Sequence, residues 1–179
     1  MNAHAPARRT AGGTPPEAGM QRPDAATLKQ GFSLFPSGVV IATTIDAGGA
    51  AHGFTASTFV PLSVEPPMVL VCLNRSAQCY DAFLSSPRFA VSVLRPQHRE
   101  IALRFATRGA DKFADAPFVG TPEGAPLLEG ALAHFECSTT ARHPGGDHII
   151  LTGLVERMRF AAEGSAMVHF ARSFRSVDL

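Results

Sequence analysis

The sequence has little net charge, which argues against two broad classes of partner. It carries 16 basic and 15 acidic residues in 179, giving a formal net charge of +1 at pH 7. Nucleic-acid-binding domains usually show a clear basic excess, and proteins that attach to membrane surfaces show clusters of lysine and arginine. We therefore expect no nucleic acid and no membrane partner.

Cysteines are few and long apolar runs are missing. The three cysteines, Cys72, Cys79 and Cys137, form no CxxC pair. That pattern argues against a disulfide framework or a zinc knuckle and favours reduced thiols in a cytoplasmic protein. No apolar run approaches the roughly 20 residues that span a bilayer. Residues 1–23 lack hydrophobic periodicity and the apolar core of a secretory signal. They are predicted to be a disordered tail before a single domain at 24–179.

Strand patterns outnumber helix patterns in that domain. Short helices are predicted at 24–35, capped by Asp24, after Ser76, and from Pro96 onward. A loop is predicted at 108–130. Strands are predicted at 39–45, 52–59, 68–73, 89–94, 131–142 and 148–160, with a short one at 167–170. Six or seven strands with turn signals between them indicate a small antiparallel barrel.

Three segments could carry chemistry, and neither a GxGxxG nor a Walker loop is among them. Residues 53–59, GFTASTF, combine hydroxyls and aromatic rings without any charge. Acid–base catalysis requires a titratable group near neutral pH, whereas neutral donors suit a planar cofactor. An ordinary Thr/Ser-rich strand fits the segment equally well.

The second segment, 73–78, is a strand-to-helix junction that could bind phosphate with help from Arg75, or be a plain capped helix. The third is the Gly-rich turn 145–148, where His148 could contact a ligand or bond to its neighbour Asp147. A metal site from His134, His143, Asp147 and His148 would need three converging ligands. No HxxxH or HExxH spacing supports it, so no metal is predicted.

Other histidines and arginines have simpler interpretations. His52, His98 and His169 are interpreted as surface or structural residues. Arg99, Arg104 and Arg108 lie in the third predicted helix and at its end. They are interpreted as a solvated face of that helix, with contact to a nucleotide phosphate as the alternative.

Five motifs in order carry a resemblance to a known family. They are FPSGV at 35–39, GFTASTF at 53–59, SVEPP at 63–67, DKF at 111–113 and GDH at 146–148, followed by Gly153. Together they resemble the flavin reductase-like proteins, the small reductase components of two-component flavin monooxygenases. The resemblance extends over about residues 24 to 175. It implies a mainly β fold: a six-stranded, antiparallel, Greek-key split β-barrel with a few short helices.

The same resemblance implies the activity and the site. The expected reaction is hydride transfer from NADH or NADPH to FMN or FAD, with reduced flavin supplied to a partner monooxygenase. His148 would meet the nicotinamide and act as the catalytic residue. Phe105 and Lys112 would close over the flavin phosphate, which the junction 74–78 would hold. The full set of expected flavin contacts is Ser37, Thr55, Ala56, Ser57, Thr58, Leu73, Asn74, Ser76, Gln78, Phe105, Lys112 and Phe174.

One departure and two alternatives accompany these expectations. The tail at 170–174, FARSF, lacks the Arg-Gly-Arg-Tyr type of ending often seen in the family. A split-barrel oxidase, or a flavin- or haem-binding module that does not use NAD(P)H, is the alternative function. A non-enzymatic interaction protein is a further one. The resemblance also implies a homodimer, because open barrels leave sheet edges and an apolar face to cover.

Overall fold

The chain folds into antiparallel β-structure with three short helices, in a computed structural model that describes residues 23–121 and 124–179. The predicted tail, except for Pro23, lies outside the described residues. The helices are α1 (Ala25–Ser33), α2 (Tyr80–Ser85) and α3 (Arg99–Ala106), and a 3₁₀ turn at Pro96–His98 precedes α3. The first six strands are β1 (Ser37–Gly38), β2 (Val40–Ile45), β3 (Ala51–Ala56), β4 (Phe59–Val64), β5 (Pro67–Asn74) and β6 (Arg88–Val93). The other six are β7 (Phe118–Val119), β8 (Leu127–Leu128), β9 (Ala133–Gly145), β10 (His148–Phe160), β11 (Ser165–Phe170) and β12 (Ser173–Asp178).

The main sheet has seven strands in the order β3-β2-β6-β9-β10-β5-β4. A three-stranded sheet, β1-β11-β12, and the β7-β8 pair complete the fold, and every pairing is antiparallel. The mainly β prediction is therefore confirmed, whereas the count of six strands was wrong for this sheet. The additional strand is β4, because residues 60–64, for which no strand was predicted, continue in extended structure after a break at Ser57 and Thr58. Strand β3 then pairs with β2, and β4 pairs with β5, at opposite edges of the sheet.

Two more strand regions differ from the sequence prediction. The chain after Phe170 forms β12, and β7 and β8 lie within the predicted loop at 108–130. The turn between β11 and β12 uses Ala171 and Arg172, with φ of 48° and 61°. Tight hairpin turns with positive φ usually carry Gly or Asn, so this one has no sequence signal.

The core occupies both faces of β2. Val40 and Ala42 belong to an apolar cluster that includes Phe54 and Phe83. Val39 and Ile41 face a second cluster that contains the α3 residues Ala102 and Phe105. Because successive side chains of a strand point to opposite faces, a strand that is buried on both faces needs apolar residues at successive positions.

Helices α1 and α3 bury few residues. Asp24 caps α1 as predicted, since its Oδ1 accepts a 2.7 Å bond from the Thr27 amide. No residue of α1 is buried, and Phe32 is 69% exposed. On α3 the buried residues are Ala102 and Phe105, whereas Leu103 and Ala106 are exposed. Within the described ranges, no helix has the length and apolarity to cross a membrane.

Candidate functional site

A cavity of about 380 Å³ opens where β3 and β5 end, and we call it the main cavity. This volume lies within the usual range of small-molecule sites. The chain brings together strand ends, the loop before α2, the end of α3 and the β9–β10 turn around it. Its lining is formed by Phe54, Thr55, Ala56, Ser57, Thr58, Cys72, Leu73, Asn74, Ser76, Ala77, Gln78, Phe105, Ala106, Thr107, Arg108, Lys112 and His148. No carboxylate occurs among these lining residues, all of which the structure describes.

The break between β3 and β4 presents hydroxyls to the cavity. The Thr55 hydroxyl donates a 2.6 Å bond to the Ala102 carbonyl and so ties β3 to α3. The Thr58 hydroxyl lies 3.3 Å from the Cys72 amide, from which it accepts, and thereby continues the contact with β5. The Ser57 hydroxyl has no hydrogen-bond partner in the described part of the chain. Ser57 is exposed, so its hydroxyl is available to a ligand.

The loop after β5 is held by Asn74, not by a helix cap. The Asn74 carboxamide oxygen accepts from the Ser76 amide at 2.8 Å and from its hydroxyl at 2.7 Å. The prediction that Ser76 caps a helix was wrong, because α2 begins at Tyr80 with Cys79 at the cap position. An Asx turn of this kind competes with helix formation. It leaves a polar loop at the cavity wall where the helix start was expected.

The β9–β10 turn places a histidine at the rim of the cavity. His148 Nδ1 lies 2.7 Å from Asp147 Oδ1, and this hydrogen bond lowers the pKa of the exposed Asp147 carboxyl. The turn itself depends on Gly146, whose φ of 68° favours glycine. The Arg75 amide donates a 2.9 Å bond to the Asp147 carbonyl, and Arg75 Nε lies 3.4 Å from the His148 carbonyl. The turn and the loop after β5 are therefore joined.

Two cationic side chains, Lys112 and Arg108, also line the cavity. Lys112 Nζ donates a 2.9 Å bond to the Gly53 carbonyl. Burial lowers the pKa of Lys112, an effect that the nearby Cys79 thiol partly opposes. The Arg108 guanidinium has no hydrogen-bond or ion-pair partner among the residues that the structure describes. These two cations make the cavity suited to an anion such as a phosphate group.

Phe105 lies in the core beneath the cavity. Its side chain is 1% exposed and packs edge-on against Phe113 at 5.1 Å between ring centroids. The expectation that it closes over a ligand is corrected, because the ring forms part of the floor. Gly53 permits this packing, since a Cβ there would lie 2.7 Å from Phe105 Cε1.

The structure gathers most, but not all, of the predicted site residues. The main cavity contains His148 and ten of the predicted flavin contacts: Thr55, Ala56, Ser57, Thr58, Leu73, Asn74, Ser76, Gln78, Phe105 and Lys112. Ser37 and Phe174 lie outside it, on the small sheet. Ser37 pairs with His169, and the Phe174 ring packs edge-on against the His169 ring at 5.8 Å. The small sheet holds these two residues together, because β11 pairs with both β1 and β12.

Some lining residues were not predicted as ligand contacts. Phe54, Cys72 and Thr107 adjoin predicted positions, so the strand pattern around 54 and 72 could have suggested them. Arg108 was interpreted first as part of a solvated face, with contact to a nucleotide phosphate as the alternative, and it lines the cavity. Arg104, in the same group, donates to the Ala114 carbonyl and so helps to position the loop that carries Lys112.

The histidines considered for a metal site do not converge. Buried His134 contacts the Leu128 carbonyl through Nε2 at 2.7 Å and accepts from Arg159 through Nδ1 at 3.2 Å. It pairs with Arg159 at the opposite end of the β9–β10 hairpin from His148. Within 23–121 and 124–179, no group of three or more His, Cys, Asp or Glu could hold a metal ion.

The lining suits one class of ligand. Hydroxyls and a polar loop surround one part of the cavity, and an unpaired guanidinium and a half-buried ammonium border another. A flat ring with polar edges and a phosphate-bearing tail would satisfy both parts. A flavin has that chemistry, so the residues present fit the cofactor.

Comparisons with known proteins identify the family. The family model described as "Flavin reductase like domain" matches residues 32–178. The chain is 46% identical over 154 residues to the actinorhodin polyketide dimerase of Streptomyces coelicolor, covering 86% of this chain and 87% of the relative. It is 35% identical to the reductase subunit HsaB of a flavin-dependent monooxygenase from Rhodococcus jostii, covering 80% of this chain and 73% of the relative.

A solved structure gives the same result. The NADH:FAD oxidoreductase SgcE6 of Streptomyces globisporus, in complex with NAD and FAD fragments, superposes with a TM-score of 0.81. It is 35% identical, and the match covers 85% of this chain and 92% of that chain. The family model and these relatives cover most of the domain and confirm the resemblance. The chain belongs to the flavin reductase-like family.

Proposed function

We propose that this chain is an NAD(P)H-dependent flavin reductase that supplies reduced flavin to a monooxygenase component. The observation that carries the proposal is the main cavity, whose lining combines the hydroxyls at the β3–β4 break with two cationic side chains, Lys112 and Arg108. Relatives named as an NADH:FAD oxidoreductase and as a monooxygenase reductase subunit support it. The chain is an oxidoreductase whose cofactors are a flavin and a reduced nicotinamide.

The chain's residues bind and orient the reactants. We assign the edge of the flavin ring to the segment Thr55–Thr58, where Ser57 offers a hydroxyl with no partner among the described residues. We assign the phosphate to the loop 74–78 with Lys112 and Arg108. His148, at the rim, would position the nicotinamide, with Asp147 fixing its imidazole through the 2.7 Å bond.

A flavin bound here would supply the redox chemistry by accepting hydride directly from the nicotinamide. No residue has to carry a proton during that step, which accounts for a cavity lining without carboxylates. The protein's contribution is to stack the two rings at roughly 3–3.5 Å with the reacting atoms aligned. The segment Thr55–Thr58 would place uncharged polar groups beside the ring, and His148 would lie on the nicotinamide side.

We also propose three finer features. The seven-stranded sheet closes into a split barrel, the protein forms a homodimer, and it is cytoplasmic. The exposed apolar side chains of α1, such as Phe32 and Leu28, and of the edge strand β4, such as Leu62, support a dimer. Ser37 and Phe174, which lie outside the main cavity of their own chain, could contact a flavin across such an interface.

The test is anaerobic reduction of flavin by NADH, followed through the loss of flavin absorbance. The expected result is stoichiometric bleaching of FMN or FAD, with quenching of flavin fluorescence when the protein is added. Flavin binding without NADH or NADPH oxidation would instead favour the oxidase or binding-module alternative. Neither binding nor bleaching would refute the proposed function.

A further inference from the structure

One hydrogen bond joins two segments of the main cavity wall that are far apart in sequence. Gln78 lies in the loop after β5, and its Oε1 accepts a 2.7 Å bond from the Gly109 amide. Gly109 directly follows Arg108, and both Gln78 and Arg108 line the main cavity. The bond therefore ties the chain just after α3 to the loop that we assign to the flavin phosphate.

Arg108 and Gly109 lie on an exposed stretch between two aromatic anchors. Both residues are exposed, and the nearest rings on either side in sequence, Phe105 and Phe113, pack edge-on at 5.1 Å between centroids. Gly109 has a φ of 79°, and a Cβ there would meet nothing within 4 Å. Because glycine adopts many backbone conformations, packing alone does not fix the chain at this point. The bond from Gln78 selects one of these conformations.

Arg108 is the group whose position depends on this bond. Its guanidinium has no hydrogen-bond or ion-pair partner in the described part of the chain. Lys112, by contrast, is fixed by its own 2.9 Å bond to the Gly53 carbonyl. Immobilising a long, flexible side chain on an anion costs free energy, and a fixed backbone reduces that cost. The cavity thus has one cation held by its own contact and one whose backbone is held through Gly109.

We infer that Gln78 is a positioning residue for the flavin phosphate. Its Oε1 holds the Gly109 amide, and this bond sets the backbone from which Arg108 reaches the phosphate. The inference rests on the proposed function and deepens it, because it predicts which flavins gain from the bond. Flavins with a phosphate gain from it, and riboflavin, which has no phosphate, does not.

The test is a double-mutant cycle between Gln78 and Arg108, measured with two ligands. Gln78→Met keeps an unbranched side chain of similar length and removes the acceptor, and Arg108→Met removes the guanidinium. Gln97→Met is the matched control, because Gln97 is an exposed glutamine that does not line the main cavity. Dissociation constants for FMN and riboflavin are measured by quenching of flavin fluorescence in the wild type, these variants and the double variant.

The expected losses depend on the phosphate. Arg108→Met weakens FMN binding about tenfold and Gln78→Met about threefold to tenfold, as expected for one charge-assisted bond and one backbone hydrogen bond. The double variant binds FMN within about twofold of Arg108→Met, because both residues act on the same contact. Riboflavin affinity stays within about twofold of the wild type in every variant, which also shows that the variants are folded. Gln97→Met changes neither affinity.

Steady-state kinetics give a second measurement. In Gln78→Met the KM for FMN rises while kcat at saturating FMN is unchanged, because the phosphate is remote from the reacting atoms. A fall in kcat with an unchanged KM would overturn the inference.

Three results of the cycle would also overturn it. Unchanged FMN affinity in either single variant would remove that residue from the phosphate site. Losses that multiply in the double variant would show that Gln78 binds the flavin independently of Arg108. Equal losses for riboflavin and FMN would show that Gln78 supports the ring or the fold. Each of these results leaves the proposed function in place, whereas wild-type protein that neither binds nor reduces a flavin would refute that function itself.

Discussion

Replacing Gly53 with alanine tests how the core supports the main cavity. The new Cβ would lie 2.7 Å from Phe105 Cε1 and 2.9 Å from the Ala42 carbonyl oxygen, and real Cβ atoms do not approach heavy atoms this closely. The Phe105 ring is buried and packs against Phe113, so it has little room to move. Overpacking of this kind costs about 1–3 kcal/mol. It exceeds the roughly 0.5–1 kcal/mol that alanine gains over glycine in a strand.

Thermal unfolding measures the effect. After that gain is subtracted, a net loss of about 1 kcal/mol lowers the Tm by about 2–4 °C in a chain of this size. Gly38→Ala is the matched control, since Gly38 also lies in a strand and a Cβ there meets nothing within 4 Å. In a Phe105→Leu background the cost of Gly53→Ala should fall by about 1 kcal/mol, because the ring contact is gone. The same Tm for Gly53→Ala and Gly38→Ala would refute the reasoning.

Three further predictions concern charged and titratable groups. His148→Ala raises the KM for NADH about tenfold with little change in flavin affinity. The control His143→Ala, in the same hairpin, changes neither quantity. Lost flavin binding with an unchanged KM would mean that His148 contacts the flavin and not the nicotinamide. Lys112→Ala weakens FMN binding about tenfold or more in fluorescence titrations. Replacing the chain's other lysine, Lys29, has no effect. Equal FMN affinities of the Lys112→Ala variant and the wild type would show that Lys112 does not bind the phosphate. Burial lowers the pKa of His134 below 6.5, so the unfolded chain binds more protons and the free energy of unfolding falls as the pH drops below about 6.5. His134→Gln should make that pH dependence shallower in urea unfolding, and an unchanged slope would contradict the assignment.

Much of the strand pattern could be predicted because it depends on local sequence. Strand β10 begins and ends where the sequence placed it, at 148 and 160, and β2 differs by one residue. Strand β4 was not predicted, and the strand predicted at 52–59 ends at Ala56. Where one strand ends and the next begins depends here on distant partners, since β3 pairs with β2 and β4 pairs with β5.

The site shows the same division. The segments 55–58 and 73–78 are contiguous in sequence and contain the polar groups, so their roles could be anticipated. Phe174 was expected at the flavin from family resemblance, but it packs against His169 after a turn that has no Gly or Asn. The meeting of Gln78 and Lys112 at the cavity wall could not be anticipated, because they lie 34 positions apart in sequence and are held there by bonds to Gly109 and Gly53.

The bond between the Arg75 amide and the Asp147 carbonyl has a kinetic consequence. Whatever steadies the loop after β5 also steadies the turn on which the His148 imidazole sits. A flavin phosphate bound at this loop would thus hold His148 in place for the reduced nicotinamide, and the protein without flavin would hold it less firmly. Steady-state kinetics would then follow an ordered mechanism in which the flavin binds first.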